Sequence, residues 1–254
     1  MWEMEDVEME EREKIARLQE MVDQSHSIVF FGGAGVSTES QIPDFRSEDG
    51  LYHSINTYGY PPETMLSHSF FENHPQEFFK YYLNEMIFPD AKPNQAHYAL
   101  AKLEQEGKLR AIITQNIDGL HQAAGSTNVL ELHGSVRRNY CLNCGAKYSL
   151  EFMLEHKNSI PHCRDCGCIV RPDVILYEEG LDEHTLASAI KYIKKSDVLI
   201  VGGTSLVVYP AAGLLQYFRG SKLVLINKSP TDYDRKADLV IRGSIGESLA
   251  HAVQ

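Results

Sequence analysis

The sequence predicts an α/β fold in which a doubly wound parallel sheet carries helices on both faces. Short continuous apolar runs have the composition of strands that are buried on both faces. Five runs fit this description: Ser27–Phe31, Ala111–Thr114, Asp197–Val201, Lys222–Ile226 and Leu239–Ile241. Amphipathic stretches of helical length separate most of them, and glycine or polar turns follow them. In such a sheet ligands bind beyond the carboxyl ends of the strands, so these turns are the candidate site.

Helices are predicted where apolar residues recur three and four positions apart. An acidic segment at the start of the chain shows this spacing at Ile15, Leu18 and Val22. We therefore expect residues 1–26 to form a helix that packs on the sheet domain. The other predicted helices are His97–Gln105, Leu186–Lys194 and Pro210–Phe218. Residues 47–93 are rich in aromatic side chains and contain no clear strand, which indicates helices and loops laid over the sheet.

The composition excludes several classes of protein. The chain has 254 residues, of which 43% are hydrophobic and 23% charged, as in ordinary globular proteins. Its net charge of −11 offers no basic surface to a phosphate backbone, so nucleic acid is not an expected partner. No apolar run approaches the roughly 20 residues that cross a bilayer, and the acidic first residues do not resemble a signal peptide. We expect a cytoplasmic protein without a membrane partner, whose five cysteines are metal ligands or free thiols.

A glycine-rich turn, Gly33–Thr38, follows the first predicted strand and precedes a predicted helix. Glycines at such a turn let the backbone approach a pyrophosphate at the helix N-terminus. They also serve strand-to-helix turns for steric reasons alone, and Thr38 stands where the usual fingerprint has a third glycine. Farther on, Phe45 can cover a flat ring and Arg46 can pair with phosphate, although the two residues also suit a core and a surface position.

All five cysteines fall within residues 137–176, which we expect to form a small insert. Four of them form two matched CxxC pairs, which together supply four thiolates to one tetrahedral zinc ion. The candidate ligands are Cys141, Cys144, Cys163 and Cys166. Four thiolates leave zinc no open position, so the expected role is structural. Cys168 is left as a spare thiol, because the CxxC spacing favours Cys166.

Polar residues follow the other predicted strands. Gln115–Asp118 come after the second strand and suit ribose hydroxyls or a carboxamide, or simply the cap of a helix. Thr204–Ser205 come just after the third strand, and Asn227 comes after the fourth. One such turn carries little information, but several on successive strand ends indicate a single ligand crevice.

A histidine before a glycine turn, His133, is a candidate acid or base just ahead of the cysteine segment. An imidazole with an ordinary pKa of about 6.5 exchanges a proton near neutral pH. The chain has 11 histidines. Composition and spacing alone do not favour His133 over His97 or His121.

Taken together, these motifs resemble the sirtuin family of NAD-dependent protein deacylases, and its bacterial-type members in particular. The resemblance extends from about Ser27 to Leu249. Its motifs are Gly33–Ser37, Ile42–Arg46, Thr114–Asp118, Leu132–Gly134, both CxxC pairs, Gly203–Leu206 and Asn227. It implies a Rossmann-like domain and a small zinc-ribbon domain, with NAD and an acyl-lysine peptide or protein between them. The Rossmann-like domain would comprise residues 27–46, 94–136 and 177–254, with 47–93 as a helical and cofactor-loop insert and 137–176 as the zinc ribbon.

The resemblance also implies roles for individual residues. His133 would be the general base, and Asn116 would order the ribose hydroxyls. Phe45, Ile117 and Asp118 would surround nicotinamide. The remaining NAD contacts would be Ala34, Thr38, Arg46, Gln115, Thr204, Ser205, Asn227 and Ile245. The peptide would enter as a strand beside residues 174–179.

In the mechanism that the resemblance implies, the acyl oxygen attacks the ribose carbon that bears nicotinamide and forms an alkylimidate. Phe45 would shield this intermediate from water. His133 would draw a proton from a ribose hydroxyl, which then attacks the imidate carbon. The products would be free lysine, nicotinamide and O-acyl-ADP-ribose, so the enzyme transfers an acyl group to ADP-ribose.

Three departures from the family pattern bear on this expectation. Gln41 and Glu178 stand where the family commonly has glycine, and Gln41 is strained if that position needs a positive φ. Glu178 lies next to the expected peptide channel and is a candidate determinant of preference for basic peptides. Members that remove acidic acyl groups carry a tyrosine and an arginine three apart, whereas Phe79–Glu85 contains no arginine. The expected substrates are therefore neutral acyl groups, acetyl first.

Other functions remain open from the sequence. A protein ADP-ribosyltransferase would use the same crevice, and sequence barely separates it from a deacylase. A non-catalytic NAD-binding module is the further alternative, and Gln41 in the cofactor loop is the residue that points to it. An ordinary dehydrogenase is weaker, because no clear acidic ribose ligand lies about 20 positions beyond the glycine turn.

Overall fold

The computed structural model describes residues 2–44, 55–157 and 159–253. Its central sheet has six parallel strands in the order β3-β2-β1-β7-β8-β9. The strands are β1 (Ile28–Gly32), β2 (Leu109–Thr114), β3 (Val129–Glu131), β7 (Val198–Gly202), β8 (Lys222–Ile226) and β9 (Leu239–Ile241). The chain order reverses between β1 and β7, so the crevice of this doubly wound sheet is expected beyond these two strand ends. This arrangement confirms the predicted fold class.

The strands form because their residues are apolar on both faces. Every residue of β1 and β7 is buried. Phe30 pairs in register with Ile112 on one side and with Ile200 on the other. One hydrophobic core lies on each face of the sheet, with Phe30 in one and Phe31 in the other.

A second, smaller sheet is antiparallel and has three strands in the order β5-β4-β6. Its strands are β4 (Gly134–Cys141), β5 (Lys147–Tyr148) and β6 (Val170–Val174). The third hydrophobic core lies between this sheet and the helices of residues 62–85, and it includes Phe78, Tyr82 and Val136. The aromatic residues predicted to lie over the sheet therefore join the small sheet to the rest of the molecule.

The helices complete the layers. They are α1 (Trp2–Gln24), α2 (helical over the described residues 55–58), α3 (Pro62–Met65), α4 (His68–Asn73), α5 (Pro75–Glu85), α6 (Gln95–Gln105), α7 (Leu120–Ala123), α8 (Leu150–Leu154), α9 (Glu183–Lys195) and α10 (Ile245–Ala252). The N-terminal helix α1 packs on α10 and β9. None of the described helices has the length and apolar character that a membrane span requires.

Two helix predictions were wrong. After the glycine turn the chain forms two short 3-10 turns, Ala34–Val36 and Thr38–Ser40, and Gly35 in the first of them packs against Gly203. A regular helix does not form at Pro210–Phe218 either, where the structure has a 3-10 segment, Ala211–Tyr217. Gly213 weakens a helix in the middle of that segment, and the tighter 3-10 geometry suits short pieces.

Candidate active site

The glycine turn after β1 and the turn after β7 lie against each other. A Cβ on Gly33 would lie 2.8 Å from the carbonyl oxygen of Gly203, and a Cβ on Gly35 would lie 2.7 Å from the Gly203 Cα. The backbone N–H of Gly35 donates to the Gly203 carbonyl over 2.9 Å. These glycines are therefore required for close packing of two strand ends, which is the steric role that the sequence left open. The same packing brings the two polar turns to one edge of the sheet.

A hydrogen-bonded network joins the turns after β1 and β2. The Ser37 hydroxyl donates to Asp118 Oδ2 over 2.7 Å and accepts from Asn116 Nδ2 over 3.0 Å. The second Asp118 oxygen accepts over 2.8 Å from the backbone N–H of Leu120, the first residue of α7, whose N-cap position is Gly119. Burial raises the pKa of Asp118, and these hydrogen bonds together with nearby Arg137 offset part of that rise. Asp118 therefore binds the first N–H of a helix without being its N-cap, and it also belongs to the polar site.

His133 lies between β3 and β4 with its ring fixed by the turn after β2. Its Nδ1 is 2.9 Å from the carbonyl oxygen of Gln115. A carbonyl oxygen can only accept, so the proton lies on Nδ1 and Nε2 is the nitrogen able to accept a proton. This is the tautomer that a general base needs.

A cavity of about 500 Å³ opens beside these residues. Its walls include six predicted site residues: Ala34, Gln115, Asn116, Ile117, Asp118 and His133. The 174–179 segment forms another part of the wall. Within the described lining, His133 is the histidine that reaches the cavity. The structure thus favours His133 where spacing alone could not.

His97 and His121 lie elsewhere, packed against each other in the interior. Their ring centroids are 4.7 Å apart, and both side chains are buried. Burial lowers the pKa of His97 to about 4 and the pKa of His121 to about 3. Both imidazoles are therefore neutral and contribute to the core.

The predicted site residues at the ends of β7 and β8 form a second network. Gln115 Nε2 donates to the Thr204 hydroxyl over 3.1 Å, and the Thr204 N–H donates to Asn227 Oδ1 over 3.0 Å. Asn227 is buried, and its Nδ2 has no hydrogen-bond partner among the described residues. A buried amide without an acceptor is costly, so this nitrogen points to a polar ligand or water.

The remaining predicted contacts lie in different surroundings. The Thr38 hydroxyl donates to the Gly35 carbonyl over 3.0 Å, and Ser205 is exposed. Ile245 is buried in the core, with its Cδ1 beneath the turn of Gly203. Phe45 and Arg46 lie outside the described residues.

The four predicted metal ligands converge. The Sγ atoms of Cys141, Cys144, Cys163 and Cys166 all lie within 4.8 Å of one another. The Cys141–Cys166 and Cys144–Cys163 Sγ pairs are 3.4 Å and 3.6 Å apart. These separations suit four thiolates around a zinc ion with bonds of about 2.3 Å. The chosen set is confirmed, with Cys168 outside it.

Some functional contacts were missed by the sequence reasoning. Ser37 lies in the predicted glycine-rich turn, but its bonds to Asn116 and Asp118 span 79 and 81 residues. Gln41 has the positive φ, 64°, that was expected to strain it, and Glu178 has a positive φ of 76°, which was not foreseen. At Glu178, however, the carboxylate is already engaged by Ser69. No local signal could have revealed these partners.

Sequence and structure comparisons show that the chain is similar to proteins of one known family. A model described as the Sir2 family matches residues 33–210. The chain is 63% identical to a Clostridium acetobutylicum protein named NAD-dependent protein deacetylase, over 93% of this chain and 97% of that protein. A solved Sir2 structure with a deacetylated p53 peptide and 3′-O-acetyl ADP-ribose superposes with a TM-score of 0.85, at 38% identity over 94% of this chain and 99% of that one. A Sir2 homologue–NAD complex gives a TM-score of 0.82, at 38% identity over 94% and 92% of the two chains.

Proposed function

The chain belongs to the Sir2 family, and on that premise we propose that it is an NAD-dependent protein-lysine deacetylase. It is an enzyme that uses NAD as co-substrate and transfers the acyl group of a lysine side chain to ADP-ribose. The observation that carries the proposal is the orientation of His133, whose Nδ1 is held by Gln115 at the wall of the cavity. Support also comes from the relative named NAD-dependent protein deacetylase, to which the chain is 63% identical.

The residues around the cavity fit NAD as the co-substrate. NAD supplies a ribose carbon that is already activated, since its nicotinamide leaves as a neutral molecule. His133 accepts a proton at Nε2 from a ribose hydroxyl, and Asn116, positioned by Ser37, orients the ribose. Asp118 and Ile117 line the cavity where nicotinamide is proposed to bind. Phe45 and Arg46 keep their predicted roles as shield and phosphate partner.

The dinucleotide is proposed to extend along the ends of β1, β7 and β8. The buried Nδ2 of Asn227 supports this placement, because no described residue supplies the acceptor that a ligand would provide. The other residues proposed to contact NAD are Ala34, Thr38, Gln115, Thr204, Ser205 and Ile245. One zinc ion, held by four thiolates, stabilises the small sheet instead of taking part in the reaction.

Two finer points are proposals as well. Acyl groups without charge are the proposed substrates, acetyl first, because α5 presents no arginine toward the cavity. A cytoplasmic location is supported by five cysteines that form no disulfide with one another.

The test is release of nicotinamide from NAD in the presence of an acetyl-lysine peptide. Release should require both substrates, and mass spectrometry should find O-acetyl-ADP-ribose. His133→Ala should lower the rate at least a hundredfold, because general base catalysis contributes about that much or more. The matched control is His251→Ala, on the exposed face of α10, which should keep full activity.

Two outcomes would contradict the proposal. Full activity in a folded, zinc-loaded His133→Ala variant would remove the proposed base. Transfer of labelled ADP-ribose to protein without loss of the acetyl group would instead indicate an ADP-ribosyltransferase.

A further inference from the structure

The 174–179 segment connects the small sheet to the proposed catalytic base and to helix α4. The backbone N–H of Ile175 donates to the His133 carbonyl over 3.0 Å. Tyr177 donates to the Leu66 carbonyl over 2.9 Å and accepts from the His68 N–H over 3.0 Å. The position of this segment therefore depends on contacts at the start of α4.

Glu179 is the centre of these contacts. Arg171, whose side chain is 9% exposed, binds it with two nitrogens at 2.8 Å and 3.1 Å. The Leu176 N–H donates to the same carboxylate over 2.8 Å. On the α4 side, His68 Nδ1 lies 2.8 Å from Glu179 Oε1. Glu179 thus joins the small sheet, the 174–179 segment and α4 through one carboxylate.

His68 is the titratable member of this group at neutral pH. Its side chain is 42% exposed, and its other ring nitrogen lies 3.3 Å from Glu72. The charged groups that face it are therefore Glu179, Glu72 and, behind Glu179, Arg171. The hydrogen bond that His68 donates to Glu179 raises the pKa of His68, as do the charges of Glu72 and Glu179, while partial burial and Arg171 oppose the rise.

Glu178, in the same segment, has a strained backbone and also contacts the first turn of α4. Glu178 has a φ of 76°, a conformation that costs free energy for a residue other than glycine. Its two carboxylate oxygens accept from the N–H and the hydroxyl of Ser69, each over 2.9 Å. The strained backbone is therefore held in place by α4 and is free to relax if the segment and the helix separate.

We propose that His68 is a positioning residue for the peptide substrate. As an imidazolium it pairs with Glu179 and holds the 174–179 segment in the observed conformation, which we propose accepts a peptide strand. This inference rests on the proposed function, because it concerns the same substrate. Peptide affinity should rise as the pH falls through the titration of His68. The change should be about threefold, since an ion pair with an exposed partner is weak.

The experiment measures peptide affinity at two pH values without NAD, so that catalysis does not contribute. The probe is a fluorescent acetyl-lysine peptide flanked by alanine and glycine, with no titratable side chain. Fluorescence anisotropy gives Kd at about pH 8.5 and about pH 6, on either side of an imidazole titration. The wild type should bind about threefold more tightly at the lower pH, whereas His68→Gln should show no such gain.

Two further variants test whether the pH effect comes from His68, by changing another histidine and a charge next to His68. His251→Gln, exposed on α10, should keep the full pH effect. Glu72→Gln removes a neighbouring charge and should shift the effect to lower pH. Equal ratios of the two Kd values in the wild type and His68→Gln, or no peptide binding at all, would overturn the inference. Nicotinamide release on the same preparations is the separate test of the proposed function, so the two failures are distinguishable.

Discussion

Gln41 adopts a left-handed backbone conformation, with φ of 64° and ψ of 23°. This conformation costs free energy for any L-residue. Its side chain is exposed at the end of the second 3-10 turn. Glycine adopts this conformation without the Cβ clash, although it also loses more entropy on folding. We predict that Gln41→Gly raises the free energy of unfolding by about 1 kcal/mol, measured by urea denaturation.

Glu178→Gly is the matched control, because Glu178 has a similar φ of 76°. Here glycine would also remove the two hydrogen bonds that Ser69 donates to the carboxylate. The relief of strain and the loss of these contacts have opposite effects, so the free energy of unfolding should change little. Equal gains in the two variants would show that the Ser69 contacts contribute nothing.

The buried pair of His97 and His121 predicts loss of stability in mild acid. Burial lowers the pKa of His97 to about 4 and that of His121 to about 3, whereas the unfolded value is about 6.5. Below about pH 6.5 the unfolded chain binds these protons and the native chain does not, so stability falls as the pH falls. At about pH 5 each imidazole should lower the free energy of unfolding by about 2 kcal/mol.

Urea denaturation at about pH 7 and about pH 5 measures this loss, and His121→Leu isolates one imidazole. His121 makes no side-chain hydrogen bond among the described residues, so leucine leaves no new buried polar atom there. Between the two pH values, the free energy of unfolding should fall by about 2 kcal/mol less in the variant than in the wild type. An identical loss would mean that His121 is already charged in the native protein.

At the scale of the elements, five strands of the central sheet were predicted, whereas the short β3, the strands of the small sheet and the helix starts were not. The strands β8 and β9 have the predicted bounds, because continuous apolar runs that are buried on both faces leave little choice. Helix α9 begins three residues before its predicted start, at Glu183, since Asp182 caps it and accepts from the Thr185 N–H over 2.7 Å. A cap depends on backbone conformation, which apolar spacing does not report.

The small sheet is the element most dependent on the proposed zinc ion. Its β5 strand has two residues, and its cysteine ligands lie at the end of β4, where Cys141 is the last residue, and in the segments between the strands. Metal binding contributes directly to the folding of such sites. We predict that Cys163→Ser abolishes zinc binding, unfolds this sheet and lowers deacetylase activity at least tenfold, measured by zinc content, circular dichroism and nicotinamide release.

Cys168→Ser provides the comparison at a neighbouring thiol. Cys168 lies outside the four-thiolate group, although its carbonyl accepts from the Cys163 N–H over 2.7 Å. A serine keeps that backbone contact, so one zinc per chain should remain. Loss of zinc from this variant would place Cys168, and not Cys166, among the ligands.

At the scale of the whole molecule, the sequence predicts that strand ends converge but not how their side chains pair. Polar turns after parallel strands must share one edge, which is why most of the candidate residues lie together. The partners of Ser37 and His68 are 81 and 111 residues away in sequence. Such contacts arise from the packing of whole domains, and neither periodicity nor spacing encodes them locally.

The charge of the molecule predicts a preference for basic peptides. The net charge is −11, and the described cavity walls carry the single cation Arg137 against six carboxyl groups. These belong to Asp44, Glu63, Asp118, Glu151, Glu178 and Glu179. A peptide with arginine beside the acetyl-lysine should therefore have a higher kcat/KM than one with glutamate, by about tenfold at low salt. Screening shortens the reach of these charges, so the ratio should fall toward one at about 0.5 M salt.

Comparing the two peptides at about 0.02 M and about 0.5 M salt tests this preference. Glu63 is exposed, and Glu63→Gln should reduce the ratio at low salt while both peptides remain substrates. Glu178→Gln should reduce it less, because Ser69 already binds that carboxylate. A ratio that does not change with salt would mean that shape, and not charge, selects the sequence around the acetyl-lysine.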